Sequence, residues 1–544
     1  MKILITLLLL LPVVSNVEAQ QNTAEFRPPA VPLVTCDPYF SIWSFADHPA
    51  DDWTRHWTGA NNGICSMVRI DGKVFRLLSP AYGGVPVMHL VGLQVYPTRS
   101  VYTFTDAGVA LTLTFMTPIL PDDLDLVGRP ASYLTWEVRA TDGKEHQAAL
   151  YYENTAELVV NSVDQKVLWS RPRIEGLDVL SMGSQDQRVL GRSGDDLRID
   201  WGYFFAASPQ SQNASTACLG SYKARKTFVE NKILPPSDDL RMPRAASDDW
   251  PVLAMMFDLG KVGQSPAVRH VILAYDDQFS IEYLYRRLRP YWRRSGAGPA
   301  DMLLEAEQDY QDLAARCRSF DENLMNDLTV AGGARYAQIA ALAYRQAFAA
   351  HKLAVDIDGT PLLFPKENFS NGCISTVDVM YPASPIFLLF NVQLMKASVA
   401  PILGYVRSGR WHFPFAPHDL GTYPLANGQV YGGGEKTEEN QMPVEESANM
   451  LLLMAAIAKV EGNPGYAATY WDLMTMWAQY LKEKGLDPEN QLCTDDFAGH
   501  LAHNVNLSLK AILALGSYAQ LSEMMKKPEE AKTYRRMAEE YARK

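Results

Sequence analysis

Long apolar runs are scarce in these 544 residues, and the clearest one lies at the very start. Ile3 to Val14 is apolar apart from Thr6 and Pro12, follows Met1-Lys2, and leads into Val17-Glu18-Ala19. That pattern reads as a secretory leader cut after Ala19, since a membrane span needs about 20 apolar residues. No Cys follows the cut, so a lipid anchor is not indicated, and no later run is long enough to cross a bilayer. The expectation is export, periplasmic or extracellular, with no membrane insertion after cleavage. Basic charge is also in short supply. Lys and Arg number 50 against 62 Asp and Glu, a net charge of −12, which removes the electrostatic case for nucleic acid as a partner. The densest basic cluster, Arg286, Arg287, Arg289, Arg293 and Arg294, reads as the solvated face of a helical connector.

Cysteine is sparse: Cys36, Cys65, Cys218, Cys317, Cys373 and Cys493, with no CxxC pair. A zinc ribbon and a thioredoxin-like motif are therefore unsupported, and this is not a disulfide scaffold. A Cys36–Cys65 bond stays open; most of the six are expected as small buried hydrophobes. GxSxG, HExxH and P-loop motifs are missing, so serine hydrolase, zinc peptidase and NTPase readings fall away. No motif calls for a cofactor or a metal, which leaves a small-molecule substrate as the expected partner.

What is present divides into two kinds of pattern. A chain of this length suggests two to four domains of ~100–200 residues each. From about Arg27 to Asp276, short alternating runs at 87–96, 109–117, 133–139, 147–152, 201–207, 252–258 and 268–275 read as strands. Turn signals such as Asp71-Gly72, Asp142-Gly143 and Ser193-Gly194-Asp195 separate them. Many short strands with regular turns argue a large antiparallel sandwich. At Gln278 the period changes. Stretches 281–294 and 300–323 read as helices, with Leu303, Leu304, Ala306, Tyr310, Leu313 and Cys317 near helical spacing. Beyond Gly332, helices are expected at 334–352, 385–407, 444–461, 466–484, 501–525 and 528–544. The reading is thus a leader at 1–19, a β-sandwich domain at 20–276, a helical connector at 277–331, and helical hairpins at 332–544. Two long loops, 356–384 and 408–443, interrupt the last; loops of that length on a rigid scaffold are where function is placed. Paired helices of this kind can close into a toroid with the loops gathered at one end.

Four segments of the helical half carry candidate chemistry. Phe364-Pro-Lys-Glu-Asn-Phe-Ser-Asn-Gly372 and Ser375-Thr-Val-Asp378 bring Lys366, Glu367 and Asp378 onto one loop, with Asp378 equally readable as a helix-start residue. Pro417-His-Asp-Leu-Gly421 offers His418 and Asp419, but neighbours on an extended chain point apart, so one of them is expected to be structural. Gln441-Met-Pro-Val-Glu-Glu446 starts a helix at which Glu445 or Glu446 can equally serve the helix dipole. Cys493-Thr-Asp-Asp-Phe-Ala-Gly499 supplies Asp495 and Asp496, with Thr494 or Asp495 equally readable as a helix cap. Acidic loops at the starts of successive helices project to one end of a helical ring, and neighbouring carboxylates push each other's pKa apart. That division of labour hydrolyses either an amide or a glycosidic bond.

Taken in order, Lys366-Glu367, Thr376–Val379, His418–Gly421, Met442–Glu446 and Thr494–Gly499 resemble the motif series of the glutaminase A family. Val34–Trp43 and Arg55–Gly59 in the front half fit it too. The resemblance implies a β-sandwich packed on a six-hairpin (α/α) toroid, and hydrolysis of L-glutamine to glutamate and ammonia. Position and chemistry suggest Asp495 or Asp496 as general acid/base, and Glu445 or Glu446 orienting water or the substrate amine. Lys366 is expected to hold a substrate carboxylate and Glu367 its amino group, with Asp378, His418 and Asp419 in the substrate site and His56 and Trp57 at its rim. The toroid is also similar to that of glycosidases of the non-lysosomal glucosylceramidase type, so carbohydrate processing is one alternative and a non-catalytic binding protein is another. The glycosidases' nucleophilic Glu falls close to Ser370 here, three residues from Glu367, which puts a retaining mechanism in doubt. Six helices after Gly332 are too few for six hairpins, so the toroid is expected to be incomplete and to need a further C-terminal segment or a partner chain.

Overall fold

Two antiparallel sheets pack face to face to form the front half, as seen in a computed structural model that describes residues 26–80, 82–494 and 499–544. The expected leader lies outside the described residues. One sheet has nine strands, running from the edge pair Arg244–Ala245 and Lys166–Ser170 through Ala267–Asp276 and Ala131–Ala140 to His89–Val95. The other has five: Ser215–Gly220, Pro251–Val262, His146–Thr155, Ile64–Ile70 and Lys73–Leu78. Alternation drives the stacking. Leu113, Trp136, Val138 and Val271 of the first sheet meet Val68, Leu150, Tyr152 and Phe257 of the second in one core. Trp136 sits at its centre, 6.1 Å from the Phe257 ring, its indole N–H donating to Ser66 Oγ at 3.0 Å.

The outer face of the nine-stranded sheet is covered by the helix Pro299–Gly332. Leu303, Ala306, Tyr310, Leu313 and Cys317 face Tyr133, Ile272 and Phe205, a helical stripe with three- and four-residue spacing. Leu304, read as part of that stripe, is 42% exposed and belongs to the other face.

The stretch 281–294 corrects the expectation of a helix. It forms the hairpin Ile281–Tyr283 and Arg286–Pro290, followed by a single turn at Tyr291–Arg293. Ile281, Tyr283 and Leu288 are buried while Arg286, Arg287 and Arg289 are exposed, a period of two rather than 3.6. Leu284 and Tyr285 both take positive φ (48° and 62°), the geometry of a two-residue hairpin turn whose twist matches the strands. The five arginines therefore share no helix face. This hairpin joins His351–Val355, Pro361–Pro365 and Leu425–Ala426 in a small sheet between the two halves.

Helices follow in the back half at Ala334–Ala349, Val377–Phe390, Val392–Arg407, Pro443–Glu461, Gly465–Thr469, Trp471–Lys484, Val505–Met524 and Pro528–Tyr541. Val505–Met524 packs on both Pro443–Glu461 and Pro528–Tyr541, giving an array of hairpins. Two expectations shift. The loop read at 356–384 contains strand Pro361–Pro365 and about the first two turns of the next helix. The single helix read at 385–407 breaks at Asn391, whose side chain leaves the first helix to accept from the Gln393 amide of the second at 3.0 Å. Among the described residues, Cys36, Cys65, Cys218, Cys317 and Cys373 form no disulfide, so the Cys36–Cys65 bond is not made, and all of these but Cys36 are buried.

A buried charge network ties the halves together. Lys352 Nζ lies 2.7 Å from Asp37 and 2.8 Å from Asp277, with all three side chains at most 7% exposed. Burial pushes the Asp277 carboxyl up against the pull of Lys352, while Lys352 outweighs burial at Asp37 and holds it low. Arg345, fully buried, donates to Thr35 Oγ1 at 2.9 Å and to the Tyr96 carbonyl at 3.3 Å. Removing one member of a buried ion set leaves uncompensated charge, at a cost of about 3–5 kcal/mol. Lys352→Met is expected to lower the unfolding free energy by that amount in urea titrations, with Asp37→Asn, Asp277→Asn and Lys352→Met together recovering most of it.

Candidate active site

Two helix N-termini bring the acidic groups together. Thr376 starts the helix that carries Asp378 in its first turn. Pro443 starts the next, with its fixed φ suited to that position, and Glu445 and Glu446 follow in the first turn. Both glutamates are fully buried and neither bonds the helix's own first amides, so the capping alternative does not describe them. Negative charge near the helix start is favoured by the dipole, but their partners lie across the site.

Glu445 and Glu446 differ sharply in company. Glu445 Oε1 accepts from Lys510 Nζ, from the Thr494 hydroxyl, and from Asn449 Nδ2 at 3.1 Å. Glu446 Oε2 accepts from Asn449 Nδ2 at 3.2 Å. Glu446 Oε1, Glu445 Oε2 and Asp378 Oδ1 have no hydrogen-bond partner among the described residues. Burial, with Asp378 and Glu445 close by, drives the Glu446 carboxyl well above the usual carboxylate range. Asp378 is pushed up to about 6, by burial first, with His418 pulling it down and Glu445 and Glu367 adding to the rise.

His418 and Asp419 do not point apart. His418 Nδ1 and Asp419 Oδ2 are 3.0 Å apart. The extended-chain argument fails because the loop folds back on Asp419, which accepts from the amides of Gly421 (2.7 Å), Val430 (3.0 Å) and Tyr431 (3.1 Å). Asp419 is thus a structural clasp, and His418 carries its Nε2 to within 3.8 Å of Asp378 Oδ1. Tyr431 stacks on the imidazole at 4.1 Å. Burial opposes charge on His418, yet the Asp419 bond and the nearby Asp378 raise its pKa.

The remaining expected residues form a support beside this cluster. Lys366 is fully buried, bonded to Asp195 at 3.0 Å and to the Glu367 carbonyl at 2.9 Å, over the Trp57 ring at 4.7 Å. Trp57 and His56 are both tied to the Pro38 carbonyl, at 2.8 and 2.9 Å. His56 is completely buried, which pushes its pKa down to about 3 and makes it a packed core imidazole rather than a rim group. Glu367 Oε2 accepts from Thr376 Oγ1 at 2.9 Å, linking this support to the helix that carries Asp378. Asp495 and Asp496 lie outside the described residues. Among the described residues, the helix after Trp471–Lys484 begins at Val505, with Asn504 as its cap.

Sequence reasoning missed Lys510, Asn449 and Asp195. Lys510 had a signal, since it interrupts the apolar run Leu507-Ser-Leu-Lys-Ala-Ile-Leu513, as did Asn449 inside a nearly all-apolar helix. Asp195 had none beyond its turn, because its role depends on a partner 171 residues away.

Comparison with known proteins agrees with this architecture. Residues 333–544 match the model of the glutaminase A six helical-hairpin domain, and 98–327 and 11–82 match two domains of unknown function. Glutaminase A of Aspergillus oryzae is 32% identical over 545 residues, covering 97% of this chain and 77% of that protein. A protein of Arthroderma benhamiae named "Probable glutaminase" is 25% identical over 619 residues, covering 97% of this chain and 70% of its own. Among solved structures, a bacterial glucoamylase complexed with acarbose overlaps 95% of this chain and 68% of its own, at 12% identity and a TM-score of only 0.46. By its sequence relationship to Aspergillus glutaminase A across nearly its whole length, the chain belongs to the glutaminase A family.

Proposed function

We propose that this chain hydrolyses the side-chain amide of L-glutamine, or of a related small amide, to glutamate and ammonia by carboxylate acid/base catalysis. The observation that carries the reading is the contrast between two adjacent buried glutamates. Among the described residues, Glu445 is bonded by Lys510 and keeps Oε2 unpartnered, while Glu446 has no Lys or Arg bonded to it and keeps Oε1 unpartnered. In this reading Glu445 takes a proton from water as the water oxygen attacks the amide carbon. Glu446 gives its proton to the amide nitrogen, the C–N bond breaks, and ammonia leaves. Proton return from Glu445 to Glu446 resets the pair. Asp378 and His418 shape the field beside them. Asp495 and Asp496 follow Thr494 directly in the chain and stay candidates for the same proton transfers. Lys366, saturated by Asp195 and the Glu367 carbonyl, serves to hold the loop rather than a substrate carboxylate.

Carbohydrate as substrate is the second reading, favoured by the Trp57–Phe369 pair. Their rings stand 5.3 Å apart with Phe369 71% exposed, and such a surface suits a sugar face. The chain works outside the cytoplasm on either reading, given its leader; among the described residues no helix is long and apolar enough to cross a membrane.

Purified protein is expected to release ammonia from L-glutamine and no sugar from aryl glycosides; the reverse result would replace the first reading by the second. Glu445→Gln and Glu446→Gln are each expected to lower kcat about 10²–10⁴-fold with unfolding midpoints close to the parent. Activity within threefold of the parent in both variants would dismiss the pair. Export predicts a mature N-terminus at Gln20, read by mass spectrometry of the secreted protein.

A further inference from the structure

Two oxygens left without a partner among the described residues, Asp378 Oδ1 and Glu446 Oε1, belong to side chains gathered around His418, and that arrangement is more specific than acid/base chemistry requires. One ligand atom each from Asp378, His418 and Glu446 lie within 4.8 Å of one another. We propose that these three side chains bind one divalent cation of the zinc class, and that a cation there blocks hydrolysis by occupying Glu446. The binding half stands on geometry alone; the blocking half rests on the function proposed above.

The donor set argues the metal. One imidazole nitrogen with two carboxylates suits a first-row cation such as Zn²⁺, whereas Ca²⁺ wants about 6–8 oxygens. Zinc bonds of about 2.0–2.2 Å put tetrahedral donor atoms roughly 3.4 Å apart, so the trio needs a contraction of about one ångström, within reach of side-chain rotation. Three protein ligands leave a fourth position for water. Asp378, whose side chain is 14% exposed while His418 and Glu446 are nearly or fully buried, marks the side from which an ion enters.

The surrounding bonds argue that the trio is built to face inward. Each buried ligand is held by its other atom. Asp419, itself fixed by three backbone amides, takes His418 Nδ1 and leaves Nε2 pointing at Asp378. Asn449 takes Glu446 Oε2 and leaves Oε1 unpartnered and fully buried. Outer partners that orient an imidazole and a carboxylate in this way are the usual companions of metal ligands. Charge argues the same sign. Asp378, Glu445 and Glu446, with Glu367 at the edge, face two cationic groups, Lys510 and His418. Lys510 is committed to Glu445.

A competing set, Cys373, His418 and Asp419, is equally close. It would use the other ring nitrogen, and Asp419 already satisfies three amides, so occupying it would break the clasp of the loop. The trio with Glu446 breaks nothing. An ion bound there occupies Glu446 Oε1, and that oxygen is then closed to a substrate's leaving nitrogen.

The test uses the whole chain after chelator treatment, with binding measured by equilibrium dialysis and mass-spectrometric metal counting. About one Zn²⁺ per chain is expected, with Ca²⁺ at least tenfold weaker. Glu446→Gln and His418→Gln should each weaken Zn²⁺ more than tenfold, and Asp419→Asn, which touches no ion, about 10–100-fold. Glu445→Gln should still bind Zn²⁺ although its ammonia release is lost. Ammonia release by the parent should fall with the same midpoint as binding. No stoichiometric Zn²⁺, or equal affinity in Glu446→Gln and His418→Gln, overturns the site. Binding at the site with undiminished ammonia release overturns the block. Should those variants not fold, Co²⁺ bound to the parent must show a four-coordinate visible spectrum with nitrogen and oxygen donors; an octahedral, water-like spectrum overturns the site. A parent that binds Zn²⁺ but never releases ammonia condemns the proposed reaction and leaves the site standing.

Discussion

The ammonium of Lys352, buried between Asp37 and Asp277, is the contact on which the rest of the arrangement hangs. It joins the turn after Val31–Thr35, the turn after the sandwich strand Ala267–Asp276, and the strand His351–Val355 of the small sheet between the halves. Lys352 sits on His351–Val355, which pairs with Pro361–Pro365, and that strand delivers Lys366 into the grip of Asp195. From Lys366 the order passes to Glu367, then to Thr376, then into the helix that carries Asp378. The sandwich therefore acts on the site by holding its loop, while the charged groups that face one another all come from the helical half. Buried ion pairs are weak sources of net stability, so the value of this one lies in fixing a single relation between the halves.

At the other end of that chain of contacts, electrostatics rather than packing sets what the site can do. Four carboxylates and two cationic groups share a nearly dry volume, where a charge without a partner is expensive. Lys510 goes to Glu445, Asp419 goes to His418, and among the described residues Glu446 is left with the Asn449 amide as its donor. The imbalance is what gives two chemically identical neighbours different behaviour. It also leaves the cluster short of positive charge, which is the common root of the proton-transfer role and of the cation site.

Much of this was legible in the sequence. The alternating strands and the helix starts that carry Asp378, Glu445 and Glu446 appear where the residues placed them, because each rests on local pattern, whereas the switch to helix comes at Pro299 rather than near Gln278. The hairpin at Ile281–Pro290 was misread because its turn residues are Leu284 and Tyr285, with none of the Gly or Asn that normally marks positive φ. The His418–Asp419 pair was misread because only the distant amides of Val430 and Tyr431 bend the chain there. Long-range partners explain the other omissions: Lys510 reaches Glu445 across 65 residues and Asp195 reaches Lys366 across 171. His56 looked like a rim residue because a motif shows proximity in sequence and says nothing of burial.

The claim at the centre of this account is that Glu446 holds a proton that the neighbouring Glu445, bonded by Lys510, does not share. Infrared difference spectra of the metal-free protein at neutral pH, with each glutamate changed to glutamine in turn, test it directly. The account predicts that Glu446→Gln removes a carboxylic-acid C=O band and that Glu445→Gln removes only carboxylate bands. Loss of the acid band in Glu445→Gln, or no acid band in the parent protein, would contradict it.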